Sequence, residues 1–453
     1  MLLLELPAEL LQKILVQAIL ARGVKRGLRL RLVCKIFSHM VQPALFETQL
    51  LDDFAKSSAV VRNWYIGKDH GGIALLHSYL LYRVQNETRP HQRRFLDIRK
   101  VSERVCEESS TDRDLVSTME TLCWPALQAA MKSSTNTKIE NEPLSPELDL
   151  LCAAAYLNVI PLAKRLLQEG HCPTSESHLF PSPMRLAAWA GNVDLMVLFQ
   201  ENMPEYEEKG LRESLIGAAI RGDIKLARLA AYPPSRATPD STDVAGEQFG
   251  KMHFARGAGN ALADAMWCTR DFEVYQYFDS FFAEPTGGIA LASHARIHAQ
   301  LGNLEMVRSL LDAGADIQGS SDKWGNPLCC ACRGCHEDVV DFLLERGADP
   351  NFRGDKERSQ GQFAIRSAAA AGSLTITRKL IGHGVDVRVR TQGRQALGEA
   401  VRLEHTAMVK LLLGLGVASG ERESFIEDAR SRGLDSMAEL LYEEETTGVE
   451  ARH

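Results

Sequence analysis

No run of about 18 uncharged apolar residues occurs in this 453-residue chain, so the sequence offers no membrane-spanning helix. The opening Met1 Leu2 Leu3 Leu4 is interrupted at once by Glu5, Pro7, Glu9, Gln12 and Lys13, which a secretory signal would not tolerate. An excess of positive charge is also missing. Lysine and arginine number 52 against 59 aspartates and glutamates, the net charge is −7 and the isoelectric point is about 6.0. That balance gives no chain-wide electrostatic case for nucleic acid or a membrane surface as partner. The ten cysteines form no framework of spaced pairs and read as thiols of a reducing compartment, the cytoplasm first and the nucleus second. A nucleophile elbow, a phosphate-binding loop, a His-Glu-x-x-His helix and a dinucleotide fingerprint are all lacking. The expectation is therefore a chain that is not an enzyme, with no cofactor and no metal.

What is present is repetition. A signature recurs nine times: two small residues, two variable ones, a glycine or its substitute, then an amphipathic stretch ending in paired aliphatics. Aligned on the glycine, the copies fall at Asn158, Gly191, Gly222, Arg270, Gly302, Cys335, Gly372, Glu404 and Gly433, at steps of 33, 31, 48, 32, 33, 37, 32 and 29. Each copy reads as helix, tight turn, helix, loop. Small residues let the two helices approach, glycine supplies the left-handed turn, and the apolar face of the second helix can be buried only by a neighbouring copy. With the closures Gly314 Ala315 Asp316 and Gly347 Ala348 Asp349, and a degraded one at Gly384 Val385 Asp386, this resembles the ankyrin repeat. The Gly325 Asn326 Pro327 Leu328 opening is similar to repeats of fungal ankyrin proteins. The resemblance implies an all-α solenoid of about eight repeats and a C-terminal cap over 147–442, used to hold a partner protein.

The N-terminus departs from that pattern. Leu6-Pro7 begins a helix on which Leu10, Leu11, Ile14 and Leu15 share a face; a basic connector with Gly23 and Gly27 follows, then Leu28 to Val41. So few residues cannot bury a core alone. The order Leu-Pro, Glu-Leu-Leu, Ile-Leu and Leu-Arg-Leu-Val-Cys-Lys-x-Phe resembles an F-box, with a connector, Gln17 to Gly27, that is longer and more basic than the usual pattern. The resemblance implies that Leu6, Pro7, Leu10, Ile14, Leu15, Val33, Cys34 and Phe37 form the small domain and much of the surface that meets a Skp-type adaptor of a cullin-RING ubiquitin ligase. The other reading is a helical cap for the domain that follows. Cys34 is expected to be a buried small residue.

Residues 51–146 show helical patches at Ile73 to Leu81 and Val116 to Met131, with breaks at Ser109 to Asp114 and Ser133 to Pro146, and read as a helical spacer. Trp64, Trp124, Arg93 and Arg94 are expected to serve packing and solvated surface. The 48-residue step holds a proline-rich and serine-rich insertion, Tyr232 to Ser241, that should project as a loop. The fourth copy carries Phe272, Tyr275, Tyr277, Phe278, Phe281 and Phe282, more aromatics than one buried face needs, which makes Tyr275, Phe278 and Phe282 candidate partner anchors. Loops bearing Trp324, Arg353, and Arg388, Arg390 and Arg394 should line one edge of the stack and suit an acidic partner segment. Cys329, Cys330, Cys332 and Cys335 with His336 have overlapping Cys-x-x-Cys spacings, but no second ligand pair is visible and the positions are those where the repeat wants small residues.

The chain thus divides into an F-box-like module at 1–50, a helical spacer at 51–146, ankyrin repeats at 147–442 and a flexible acidic tail at 443–453. Two functions stay open. One is substrate recognition for an SCF-type ubiquitin ligase, with an unidentified target protein; the other is an ankyrin scaffold with no ligase link. An enzyme would require polar groups converging in a deep pocket.

Overall fold

The computed structural model describes residues 6–52, 71–109, 112–133, 145–202, 208–231, 258–282, 286–319, 325–352, 363–388, 390–417 and 422–450. The described residues are helical, without strands, and fall into two compact units, Met1–Phe281 and Phe282–His453. The expected loop at 232–241, Trp64, Trp324 and Arg353 lie outside the described residues.

The first unit begins with α1 (Ala8–Arg29) and α2 (Lys35–Thr48), joined by a 3-10 turn at Leu30–Leu32. Helix α1 runs through the stretch expected as a connector and is broken only at Gly23, where φ 74° and ψ 171° leave the helical region. The reason is local: Ile19 and Val24 are buried on either side of the break, so both halves have an apolar face to pack. Cys34 is half-buried and acts as the N-cap of α2, its Sγ accepting from the Phe37 N–H at 3.5 Å. The module's core consists of Leu11, Leu15, Ile19, Phe37, Val41, Leu45, Phe46 and Leu51, and it takes in Tyr79 from α3 (Gly71–Asn86). A polar network lies on the same seam. Tyr79 Oη donates to Asp52 at 2.7 Å, Arg83 pairs with Asp52 and with Glu87 at 2.6 Å each, and Arg89 reaches both Glu87 and Gln49. The spacer helix is therefore part of the N-terminal core rather than a tether.

Helices α4 (Arg93–Glu108) and α5 (Leu115–Ser133) complete the spacer. Asp114 caps α5 by accepting from Ser117 N–H at 2.7 Å, which accounts for the break before it. Trp124 stacks on His77 with ring centroids 4.0 Å apart, and half-buried Arg94 donates to the Ala126 carbonyl, both as packing. Four helix pairs follow in this unit: α6 (Pro146–Leu157) with α7 (Ile160–Gln168), α8 (Pro183–Ala190) with α9 (Val193–Glu201), α10 (Glu208–Arg221) with α11 (Ile224–Ala231), and α12 (Ala258–Cys268) with α13 (Phe272–Asp279).

The second unit has five pairs: α14 (Gly288–Leu301) with α15 (Leu304–Asp312), α16 (Pro327–Gly334) with α17 (Glu337–Glu345), α18 (Ala364–Ala371) with α19 (Leu374–Gly382), α20 (Arg390–Arg402) with α21 (Thr406–Gly414), and α22 (Arg422–Ser431) with α23 (Asp435–Glu450). Within each unit the first helices of successive pairs pack side by side. Small residues permit it: a methyl at Gly217 of α10 would overlap the Arg185 carbonyl and the Ala188 side chain of α8. Helix α23 continues to Glu450, so residues 443–450 are helical where a flexible tail was expected; glutamate is a strong helix former.

Two backbone devices repeat. At the turn between paired helices, eight of the nine aligned positions have positive φ, including the non-glycines Asn158, Cys335 and Glu404; Arg270 does not. At the end of the second helix, the residue after a positive-φ glycine bonds back five residues, as in Ala315 N–H to Leu310 O, Ala348 to Leu343, Val385 to Leu380 and Val417 to Leu412, at 2.9–3.1 Å. Those bonds satisfy carbonyls that the helix end would otherwise leave open.

Candidate protein-interaction sites

The N-terminal module turns one apolar set inward and another outward. Leu15 and Phe37, expected at the adaptor surface, are in the core, because α1 and α2 bury them against each other. Leu6 and Cys34 are half-buried, while Pro7, Leu10, Ile14 and Val33 are exposed. Leu10 and Ile14 lie one turn apart on α1, and the turn into α2 adds Leu32 at 86% exposure, Val33 at 65%, and Ile36. Exposed Lys13, Arg31 and Lys35 stand among them in sequence, as does exposed Glu9. Apolar surface of this kind is what a partner buries at roughly 25 cal/mol per Å².

The aromatic fourth pair is used differently from its sequence expectation. Tyr275 and Phe278 are buried with Val274, at the positions where α13 faces its own core, and cannot anchor a partner. Phe282 is half-buried, as are Phe272, Tyr277 and Phe281. These rings pack on one another: Phe272 stacks parallel to Tyr275 at 5.9 Å, and Phe281 meets Tyr277 edge-on at 5.1 Å. Arg228 covers the Tyr277 ring at 5.9 Å. Asp271 caps α13 by accepting from Val274 N–H at 3.0 Å, which supplies the turn that Arg270 does not make with a positive φ.

Of the basic edge, Arg388 is exposed, its N–H bonded to Asp386 Oδ1 at 2.9 Å, and Arg394 is exposed with its guanidinium 5.8 Å from the Phe425 ring. Arg390 begins α20, but its side chain is outside the described residues.

The cysteine cluster is core. Cys329, Cys330 and Cys332 are buried in α16, packed among Leu328, Val339, Val340 and Ile365, and burial pushes the Cys329 thiol up to about 12 and Cys332 well above the ordinary thiol range. Thiols held neutral in this way are poor ligands and poor nucleophiles. Cys335 is exposed at the left-handed turn, and no group of three or more metal-ligating side chains converges among the described residues.

A set of contacts between neighbouring pairs escaped sequence reasoning. Asn192 Nδ2 donates to Ala155 O at 2.7 Å, His336 Nε2 to Gln300 O at 3.0 Å, and His405 Nε2 to Ala370 O at 3.4 Å; Arg221 does the same to Ala190 O at 2.9 Å. A carbonyl only accepts, so each histidine carries its proton on Nε2. The residue just after the left-handed turn thus has two uses. In Asp223, Asn303 and Ser373 it caps its own second helix; in Asn192, His336 and His405 it staples its pair to the preceding one. The available signal was a polar residue at one fixed offset.

Comparison with known proteins agrees with this architecture. Residues 292–354 match the family model described as ankyrin repeats in three copies. The chain is 30% identical over 144 residues to the nuclear factor NF-kappa-B p105 subunit of Gallus gallus, covering 30% of this chain and 14% of the relative. It is 29% identical over 142 residues to a putative ankyrin repeat-containing protein of Treponema pallidum (strain Nichols), covering 31% and 45%. It is also 34% identical over 88 residues to the ankyrin repeat and KH domain-containing protein mask-1 of Caenorhabditis elegans, covering 19% and 3%. In each case the match spans less than half of the relative's length. Matched sequence, paired helices and repeated left-handed turns together identify ankyrin repeats in this chain, an architecture that suggests a protein–protein interaction module.

Proposed function

We propose that this chain is a non-catalytic recognition subunit of an SCF-type ubiquitin ligase, its ankyrin repeats holding a target protein while the N-terminal module docks a Skp-type adaptor. The observation that carries the reading is where exposed apolar bulk is concentrated. Of ten large hydrophobic side chains exposed among the described residues, six (Leu10, Ile14, Leu20, Leu32, Val33 and Ile36) belong to α1, the 3-10 turn and α2. A module that buries its own core and still presents such a set is built to be covered. The mechanism is proximity: a target held on the repeats is kept at an effective concentration of roughly millimolar near a tethered ligase.

The scaffold reading, with no ligase link, draws on the Asp52–Arg83–Glu87 network, which fastens the module to α3 as a structural cap would be fastened. Co-purification of the full chain with a recombinant Skp-type adaptor separates the two. The ligase reading expects capture by the unmodified chain and its loss in Leu10→Glu with Ile14→Glu, at an unchanged melting temperature because both side chains are exposed. No capture by the unmodified chain, or capture that survives the double substitution, leaves the scaffold.

A further inference from the structure

The first helices of the second unit, α14, α16, α18 and α20, pack side by side in one row. Counted back from the turn residues Gly302, Cys335, Gly372 and Glu404, their arginines fall at matching steps: Arg333 and Arg402 two before, Arg296 and Arg366 six before, Arg394 ten before. Steps of four keep side chains on one face of a helix. The residues four before the turn, His298, Ala331, Ala368 and Ala400, lie about half a turn from that stripe and are buried in every helix, so the arginines stand on the side away from the core. We propose that this stripe binds an extended acidic segment of a target protein, with a carboxylate at about every third residue. The assignment rests on the reading of the repeats as the part that holds a target, and not on the adaptor link.

The sign of the charge is particular to this side of the stack. The four first helices carry six arginines and one glutamate, whereas the second helices α15, α17, α19 and α21 carry six carboxylates and four cations. The one glutamate is shared. Glu399 accepts from Arg366 Nη2 at 3.0 Å and from Arg402 Nε at 2.9 Å, so two cations face a single carboxylate. Arg296 donates to the Ser293 hydroxyl at 3.0 Å, and no carboxylate among the described residues pairs with it. It is half-buried, and burial pulls its pKa down, as expected of a cation drawn partly out of water without an anion beside it. Arg333 is bonded to the Cys330 thiol and adds its charge to the row, and Arg394 is exposed at the end of it.

Residue type and spacing select the partner. A guanidinium fork can hold a carboxylate in two parallel bonds, which an ammonium cannot, and the four helices contain no lysine. Helices packed side by side lie about 8–10 Å apart and an extended chain advances about 3.3 Å per residue. A carboxylate at every third residue therefore meets each helix of the row in turn. Single-stranded nucleic acid is the other extended polyanion, but it binds through aromatic stacking as well as charge. The four helices hold no Phe, Tyr or Trp, and the chain as a whole is negative.

Fluorescence anisotropy of the full chain with labelled decapeptides tests the proposal. The first peptide has glutamate at every third position and alanine or serine between, the second has glutamine in place of each glutamate, and the third has the same glutamates side by side. The first is expected to bind about tenfold or more tighter than the second, and several-fold tighter than the third. Arg296→Gln with Arg366→Gln should weaken the first peptide by about tenfold, at an unchanged melting temperature because both side chains are only half-buried and Glu399 keeps Arg402. Arg378→Gln, which removes an exposed cation from the second helix α19, should leave binding within about twofold. No binding of the first peptide, equal binding of the first and second or of the first and third, an equal loss in Arg378→Gln, or tighter binding of a single-stranded oligouridylate overturns the assignment. The adaptor takes no part in this titration, so a failure here and a failure of the ligase reading are told apart.

Discussion

Cys335 and Glu404 occupy left-handed turns at φ 60° and 57° where six of the nine aligned positions carry glycine or asparagine. A side chain in that conformation costs about 1–2 kcal/mol, and the fold imposes it because the paired helices on either side are fixed by their neighbours. Replacing Cys335 by glycine should accordingly raise stability by about 1 kcal/mol, since the thiol is exposed and its one polar contact is 3.9 Å long. The opposite exchange, Gly302→Ala, meets the same backbone strain and also the His336 ring, which lies where the new methyl would go. It should cost about 2 kcal/mol or more. Urea unfolding of the two variants checks the pair; a Cys335→Gly chain less stable than the unmodified one would mean that the turn is not strained.

At the scale of helices and pairs, periodicity made most of the architecture legible. Eight of the nine aligned positions are left-handed turns, and the described ends of the two breaks, Asp114 and Ser145, are helix caps, because each depends on a residue type with a local conformational preference: glycine for positive φ, serine and aspartate for caps. What was not legible depends on partners distant in sequence. Counting six aromatics in the fourth pair could not tell Tyr275 and Phe278, which face the core, from Phe281, which is half-buried, since all recur at helical spacing. The buried triangle between α8 and α10 is of the same kind. Ser182 Oγ donates to Glu213 at 2.5 Å and Arg185 Nη2 pairs with the other Glu213 oxygen at 2.5 Å, all three side chains being buried. Removing Glu213 leaves the buried Arg185 only the longer pair with Glu176 at 3.6 Å, so Glu213→Ala should destabilise the first unit by about 3 kcal/mol. Glu213→Ala together with Arg185→Met should recover much of that loss, since the poorly compensated cation is then gone. Thermal melts of the single and double variants decide it, and additive losses would assign the effect to packing.

Two of the cores among the described residues do not follow the boundaries expected from motifs. The expected break at residue 50 runs through the N-terminal core, which spans Leu11 to Leu51 and takes Tyr79 from α3, with Asp52 bonded to both Tyr79 and Arg83. A fragment of residues 1–50 lacks Tyr79, Arg83 and Glu87 and should be largely unfolded by circular dichroism, because so short a chain buries too little surface once the spacer helix is gone. Within the repeats, the core from Ala299 to Leu441 belongs entirely to the second unit, Phe282–His453, with stapling contacts from His336 and His405 inside it. Repeat stacks are stabilised by nearest-neighbour contacts, and the five pairs of the second unit keep the contacts they make with one another. Residues 282–453 expressed alone should therefore unfold in a single cooperative transition with helical content kept, while 1–50 gives none. A fragment 282–453 that is unfolded, or a fragment 1–50 that melts cooperatively, would place the boundaries elsewhere and return the N-terminal motif to the status of an independent domain.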